Sequence, residues 1–392
     1  MALGEVATFT NGVAFKSSDW EDNGSRIIRI QNLTDAAKPF NRTTRQVPDR
    51  FHVHPGDLLV SWSATLGVFE WQGPDVALLN QHIFRVQPNS DLVDKRYLRH
   101  AIGAVLRKAE RHMHGATMRH VNKSDLLAES FSCPPLEEQA KAADVLDAVD
   151  ALRVKRRRAL ELFDELTRSV FLDMFGDPVR NPRGWEVRTL GDLLSGIDSG
   201  KSPQCLDRPA RPGEWGVLKL GAVTRCVYDA DENKALPLDF AVDQRFEVRA
   251  GDLLFSRKNT PDLVAAVALV TSTPERLLLP DLIFRLVPAE DSGATAEYLH
   301  AAMTHPAMRK RIQALASGSA ASMVNISKGK LMGLSLPVPP LELQERFAAL
   351  LRRVRTQRDV QTAHLATLDE LFTSVQQRAF NGTLWDHEPA SL

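Results

Sequence analysis

A phrase of two prolines opening a long helix occurs twice in this chain: PPLEEQAKAADVLDAV from Pro134 and PPLELQERFAALLRRV from Pro339, 205 residues apart. A duplication constrains the fold more than any single motif, because two copies of one pattern imply two copies of one structural unit. The correspondence extends upstream. PGDLLVS at Pro55–Ser61 matches AGDLLFS at Ala250–Ser256, IFRV at Ile83–Val86 matches IFRL at Ile283–Leu286, and Tyr97-Leu98 matches Tyr298-Leu299. Loops bearing Gly, Ser and Thr follow, GATMRHVNKSDL from Gly115 and GSAASMVNISKGKL from Gly318. The halves also open alike, with LGEV at Leu3 and LGDL at Leu190. The offset grows from 187 to 205 along this series, so the copies differ mainly by small insertions in the second. Two copies are too few for a solenoid.

Each half divides into a mixed region and a helix. Short β-rich runs (RIIRI, DLLVSW, VLKL, DLLFS, HIFRV) separated by Gly, Pro and Asn read as strands and turns. Residues 95–113 and 296–316 read as helices that close each mixed region. The expected boundaries are a first domain over 1–133, a long helix over 134–176, a turn-rich linker over 177–184, a second domain over 185–338, a second long helix over 339–381 and a tail over 382–392.

Paired prolines suit a first helical turn, where the missing N–H has no intrahelical partner. Glu137, Glu138, Glu342 and Glu345 then lie on the favourable side of the helix dipole. No proline or glycine interrupts either helix before Gly176 or Gly382. About 40 residues extend roughly 60 Å, long for a globular domain. Phe347, Leu351, Val354, Leu365, Leu368, Phe372, Val375 and Ala379 recur at four- and three-residue steps, with Arg358 and Gln361 between. The first helix repeats this as Ala142, Leu146, Val149, Leu160, Phe163, Thr167, Val170 and Met174, with Arg153 and Arg156 between. Such seams predict a two-helix coiled coil. A parallel, in-register pair would set Arg153 against Arg358; an antiparallel pair lets each meet an acidic or apolar neighbour. The antiparallel arrangement is therefore expected.

Composition excludes several classes. The chain is 43% apolar and 25% charged with zero formal net charge, so bulk charge announces no nucleic-acid binder and phosphate contacts must be local. The longest apolar run, Leu263–Val270, is far short of a membrane span, and MALGEVATFT has no secretory pattern. Three cysteines without metal spacing point to a reducing cytoplasm. No strong catalytic motif appears. SGIDSGKS at Ser195–Ser202 ends like a phosphate loop but has three residues between its glycines where four are required. Glu232-Asn233-Lys234 imitates a nuclease triplet that is common by chance. Pro134 and Pro339 follow Cys and Val, so neither belongs to an amino-methyltransferase signature. Basic residues cluster over Arg107–Lys123, with counterparts at Arg309, Lys310, Arg311, Lys328 and Lys330; a further run, Lys155–Arg158, is expected to meet a partner protein or DNA.

Together the PPLEEQ and PPLELQ helices, the GDLL strands and the stretch NGVAFKSSDWEDNGSRIIRIQNLTD resemble the specificity subunits of type I restriction–modification systems, over nearly the whole chain. The resemblance implies an α+β fold of two similar target-recognition domains separated by two long antiparallel coiled-coil helices, a pseudo-twofold internal repeat. It implies a non-catalytic subunit that reads a bipartite double-stranded DNA target and docks two adenine methyltransferase subunits and motor-nuclease subunits. S-adenosylmethionine, ATP and magnesium would be bound by those partners, with no cofactor or metal in this chain. The helices would act as a ruler: four residues inserted in one would add about 6 Å, on the order of two base pairs. One departure is the segment NPRGWEVRT before the second domain, which the first lacks: either the first domain's outer edge is less supported or the start of the sequence is late.

Base-reading residues vary with the target and do not carry over. From chemistry alone, polar and basic loop residues are the candidates. They are Lys16, Ser17, Ser61, Trp62, Gln81, His82, Thr117, Arg119 and Lys123 in the first domain. In the second they are Lys201, Ser202, Arg257, Lys258, Asn259, Ser319, Ser322 and Lys328. The alternative the residues leave open is an adaptor with two protein-binding domains on a coiled-coil spacer.

Overall fold

The computed structural model describes residues 1–35, 37–112, 122–318 and 323–384. The chain divides into two units, Met1–Arg158 with Thr362–Leu392, and Ala159–Gln361. The duplication is visible in each.

The first unit contains β1 (Ala7–Asn11), β2 (Ser25–Ile28), β3 (Asn41–Thr43), β4 (His52–Val53), β5 (Leu58–Ser61), β6 (Gly67–Glu70), β7 (Ala77–Leu79) and β8 (Ile83–Pro88). One sheet has the order β1-β8-β5-β6, antiparallel throughout, and a second the order β3-β2-β7-β4. The second unit contains β9 (Glu186–Thr189), β10 (Leu194–Ser199), β11 (Gly216–Leu218), β12 (Asn233–Ala235), β13 (Leu253–Ser256), β14 (Lys258–Asn259), β15 (Val267–Leu269), β16 (Leu277–Leu278), β17 (Ile283–Pro288), β18 (Val324–Asn325) and β19 (Ser335–Val338). Its sheet β10-β17-β13-β15 repeats the first order in full and β12-β11-β16 repeats three strands of the second, down to the parallel pairs β2–β7 and β11–β16; an isolated bridge, Glu247 to Leu278, stands where β4 pairs.

The repeated GDLL phrase now has a physical reason. Every residue of β5 and of β13 is buried. Leu58 and Val60 enter one core while Leu59 enters another, and Leu253 and Phe255 divide from Leu254 in the same way. A strand buried on both faces reads as a continuous apolar run. Gly56 and Gly251 precede it with φ of 86° and 96°, backbone that only glycine adopts without strain. The aspartates that follow meet the arginines of IFRV and IFRL. Asp57 lies 2.8 Å from Arg85, and Arg285 is held by Asp198 at 2.7 Å and Asp252 at 3.3 Å. Gly200, of the apparent phosphate loop, is explained by packing: a Cβ there would stand 1.7 Å from the Leu279 carbonyl oxygen, and at Gly12 2.1 Å from that of Asn80.

A helix, Lys95–His112, closes the first domain. Its counterpart differs from expectation, being split into Ala296–Thr304 and Pro306–Gln313. Pro306 has no N–H to continue the ladder and forces His305 out of the helical region, to φ −56° and ψ 131°. The long helices run Leu136–Phe175 and Leu341–Asn381. Within the first unit, Leu146 and Val149 pack with Phe372, Leu368 and Val375, and Arg153 lies 2.6 Å from Asp369. Within the second, Phe171 and Phe175 pack edge-on against Phe347, and Arg358 lies 3.1 Å from Asp164. In both units residue numbers rise along one helix as they fall along the other. The pairing is antiparallel, and each seam arginine has found the carboxylate that a parallel pair would have denied it. In the Lys155–Arg158 run, Lys155, Arg157 and Arg158 are exposed, and Arg157 reaches Asp369 at 3.1 Å.

Gln139 and Gln344, fully buried, join each helix to its domain. Gln139 accepts from the Asp94 N–H at 2.9 Å and donates to the carbonyls of Leu92 at 3.0 Å and Pro134 at 2.7 Å. Gln344 accepts from Thr295 at 2.9 Å and donates to Gly293 at 2.7 Å and Pro339 at 2.8 Å. The last letter of PPLExQ thus ties the cap of the domain-closing helix to the first proline of the long one. At the outer edge, β9 pairs with β19 over four residues, whereas Ala2 makes a single bridge to Ser130 in the first domain. Among the described residues no helix is long and apolar enough to cross a membrane.

Candidate nucleic-acid interface

Five of the candidates, Trp62, His82, Lys123, Arg257 and Lys328, gather at one repeated feature. Phe84 and Phe284, at equivalent places in β8 and β17, are 2% and 1% exposed. Lys123 places its Nζ 5.6 Å from the Phe84 ring centroid and donates to the Phe9 carbonyl at 2.8 Å. Lys328 stands 5.5 Å from the Phe284 centroid and donates to the Ile197 carbonyl at 2.7 Å. Each lysine opens a short helix, Lys123–Ala128 or Lys328–Met332. Their charge is engaged by a ring quadrupole and a strand carbonyl, so the lysines tie the starts of these helices to the sheet.

The remaining place beside each ring is taken by a different residue in each half. Trp62 stacks on Phe84 at 5.7 Å between centroids, with His82 tilted against it at 5.6 Å. Arg257 lies 4.8 Å over Phe284 and donates from Nε to Asn325 Oδ1 at 3.1 Å. The two positions are structurally equivalent: the Trp62 N–H meets the His82 carbonyl, and the Arg257 N–H meets the Leu282 carbonyl, just before the two matching strands. A constant ring and lysine therefore carry an aromatic side chain in one copy and a guanidinium in the other. Indole stacks, whereas guanidinium donates a planar pair of hydrogen bonds. Two such surfaces suit the reading of two unlike sequences.

Several other candidates belong to the same neighbourhood. Gln81 and His82 are half-buried, and Gln81 Oε1 and His82 Nδ1 are enclosed without a hydrogen-bond partner among the described residues. Unsatisfied buried polar atoms are uncommon in folded proteins and mark places where a ligand can supply the bond. Ser61 is fully buried and donates to the Thr65 carbonyl at 2.5 Å, a structural position. Lys258 is half-buried and Asn259 buried in β14, which pairs with β18. Lys16 and Ser17 are exposed at a single 3-10 turn, and Lys201 and Ser202 are exposed, with Ser202 bonded to Asp281. Thr117, Arg119, Ser319 and Ser322 lie outside the described residues.

The basic cluster divides on inspection. Arg107 donates to Gln376 Oε1 and covers the Phe372 ring at 5.6 Å, holding helix to domain. Glu232 pairs with Lys219 and Lys234 with Asp207, each at 3.0 Å, so the nuclease-like triplet consists of structural ion pairs around the buried Asn233. No group of three His, Cys, Asp or Glu side chains among the described residues could hold a metal ion. Sequence reasoning missed the two phenylalanines as the floor of the site. The doubled IFR phrase was the available signal.

Comparison with known proteins agrees with this architecture. The family described as the type I restriction modification DNA specificity domain matches residues 1–162. The specificity subunit of the type I restriction enzyme EcoEI of Escherichia coli is 33% identical over 169 residues, 43% of this chain but 28% of that protein's length. The EcoBI specificity subunit of Escherichia coli is 25% identical over 429 residues, covering 98% of this chain and 85% of its own. Among solved structures, the type I S subunit from M. genitalium superposes with a TM-score of 0.59 at 12% identity, over 97% of this chain and 95% of that one. A chain from a study of complex assembly and conformational transition in the type I R-M system gives 0.53 at 18% identity, over 98% and 97%.

Proposed function

We propose, for a chain that belongs to the specificity subunits of type I restriction–modification systems, that its two domains each read one half of a split double-stranded DNA target. The observation that carries this reading is the pair of equivalent sites on Phe84 and Phe284, alike in ring and lysine and unlike in Trp62 and Arg257. A homodimer would read a palindrome; a duplicated chain whose copies have diverged at the reading position reads an asymmetric sequence. Phosphate contacts position the domains and base-edge contacts select the sequence.

The long helices carry the partners. Val145, Leu152 and Val154 in the first unit and Leu162, Leu166 and Leu350 in the second are 41–58% exposed on helix surfaces, as surfaces awaiting other subunits would be. Two methyltransferase subunits and the motor-nuclease subunits dock there in the cytoplasm, and S-adenosylmethionine, ATP and magnesium belong to those subunits. This chain supplies recognition and no chemistry of its own.

The test is binding of the full chain, with its methyltransferase subunit, to duplex DNA across a salt series. Neutralising phosphates releases counterions, so log K falls steeply and linearly with log salt. Binding that is absent at low salt would remove the DNA reading and leave the adaptor.

A further inference from the structure

A cavity of about 870 Å³ lies within the second unit, where the split helix Ala296–Thr304 and Pro306–Gln313 faces the long-helix segments that carry Thr167 and Arg355. The corresponding space in the first unit measures about 180 Å³. The difference is written in the repeat. At an offset of 205, Phe372 and Gln376 of the first unit correspond to Thr167 and Phe171 of the second. Phe372, covered by Arg107 and by Arg153, fills the space in one copy, and threonine leaves it open in the other.

The charges differ in the same sense. In the first unit the arginines are matched: Arg153 has Asp150 at 2.7 Å and Asp369 at 2.6 Å, while Arg99 pairs with Asp147, which also meets His100. The counterparts of Asp147 and Asp150 are Arg352 and Arg355, so two carboxylates of one copy are guanidiniums in the other. Arg358 is paired with Asp164, and Arg352 lies 3.9 Å from Glu297. Arg355 lines the cavity, half-buried, with no carboxylate within 4 Å among the described residues, and burial lowers its pKa from the ordinary value. In the same wall Arg309 Nε and His305 Nδ1 are enclosed without a hydrogen-bond partner among the described residues. Phe171 and Leu351 line the cavity as well. Glu297 and Asp359 act on Arg355 from further away without offsetting its burial, and six arginine and lysine side chains line the cavity against three aspartates, so an entering anion is favoured.

We propose that this cavity is the docking site for an acidic, amphipathic segment of a partner protein, whose carboxylate pairs with Arg355 and whose apolar neighbour packs on Phe171 and Leu351. The described residues of the first half offer no equivalent, so two copies of one partner subunit dock unequally. The apolar wall beside the guanidinium selects a protein side chain over a phosphodiester backbone. This inference rests on the proposed docking of methyltransferase subunits.

The experiment titrates the full chain with its methyltransferase subunit by calorimetry and measures the mass of the complex by light scattering. Two variants are used: Arg355→Glu, which reverses the charge, and Thr167→Phe, which fills the cavity as Phe372 does in the other half. Arg346→Glu, on an exposed turn of the same helix, is the control. Wild type and control bind two copies. Each test variant loses at least tenfold in affinity for one copy, keeps the other, and shows a one-to-one complex near the wild-type saturation point. Two copies bound by both variants with wild-type affinity overturn the proposal, as does equal weakening of both. Reduced duplex-DNA affinity with unchanged docking in Arg355→Glu assigns the anion to phosphate and also overturns it. If the wild-type chain binds no methyltransferase subunit, the assembly reading itself fails and this inference falls with it.

Discussion

Replacing Gln344 by leucine keeps volume in a fully buried position and removes the buried amide that joins the second domain to its long helix. Three backbone groups lose their partner: the Thr295 N–H and the carbonyls of Gly293 and Pro339. An orphaned buried donor costs about 1–3 kcal/mol, and a carbonyl somewhat less because its second lone pair is often tolerated unfilled. The expected loss is therefore about 3–4 kcal/mol. With an m value on the order of 3 kcal/mol/M in urea, the midpoint of the second unit falls by about 1 M. Urea denaturation followed by circular dichroism and by Trp215 and Trp185 fluorescence measures this, and the same substitution at Gln139 should move the first unit instead. A loss below about 1 kcal/mol at both positions would refute the reasoning, because the three groups would then have found water.

Lys328→Met should destabilise the second unit by about 1–2 kcal/mol through loss of a charge-assisted bond and a cation–π contact, yet leave the salt slope of DNA binding unchanged; a slope smaller by about 1 in a salt titration would make it a phosphate contact. A double-mutant cycle on Arg153 and Asp369 should give a coupling of about 1 kcal/mol by urea denaturation, modest because Asp369 is 42% exposed; zero coupling would mean that the antiparallel seam does not rely on the pair. Burial lowers the His300 pKa to about 4, from an ordinary 6.5. The unfolded chain then binds the proton first, so stability falls as pH drops from about 6.5 towards 4 and levels below. The total approaches about 3 kcal/mol at most, reduced by the water that reaches a half-buried ring. His300→Gln should flatten urea midpoints between pH 7 and 4, and an unflattened profile would place the titration elsewhere.

The duplication, the long helices and their antiparallel sense were legible in the sequence because each depends on spacing and sign: PPLExQ, the heptad seam, and the arginines at 153 and 358. What the spacing could not show was where a side chain spends its polarity. Lys123 and Lys328 look like free cations beside glycine-bearing loops, yet their targets, Phe9 and Ile197, are more than a hundred residues away along the chain. Gln139 and Gln344 look like helix-surface residues and are fully buried, since their partners come from the start of the domain-closing helix, about 50 residues earlier. Pro306 was visible and decisive: one residue split an expected helix and opened the corner that His305 and Arg309 line. The equivalence of Trp62 and Arg257 required the sheet register, because indole and guanidinium share no pattern by which one would align them.

The central claim is that one chain reads two unlike half-sites. Mapping N6-methyladenine across the host genome, with this gene intact and deleted, tests it most directly. The account predicts that deletion abolishes methylation at a single split motif, two short unlike sequences at a fixed spacing, and leaves other motifs untouched. Loss at a palindromic or unsplit motif, or an unchanged map in a host that expresses the partner subunits, would contradict it.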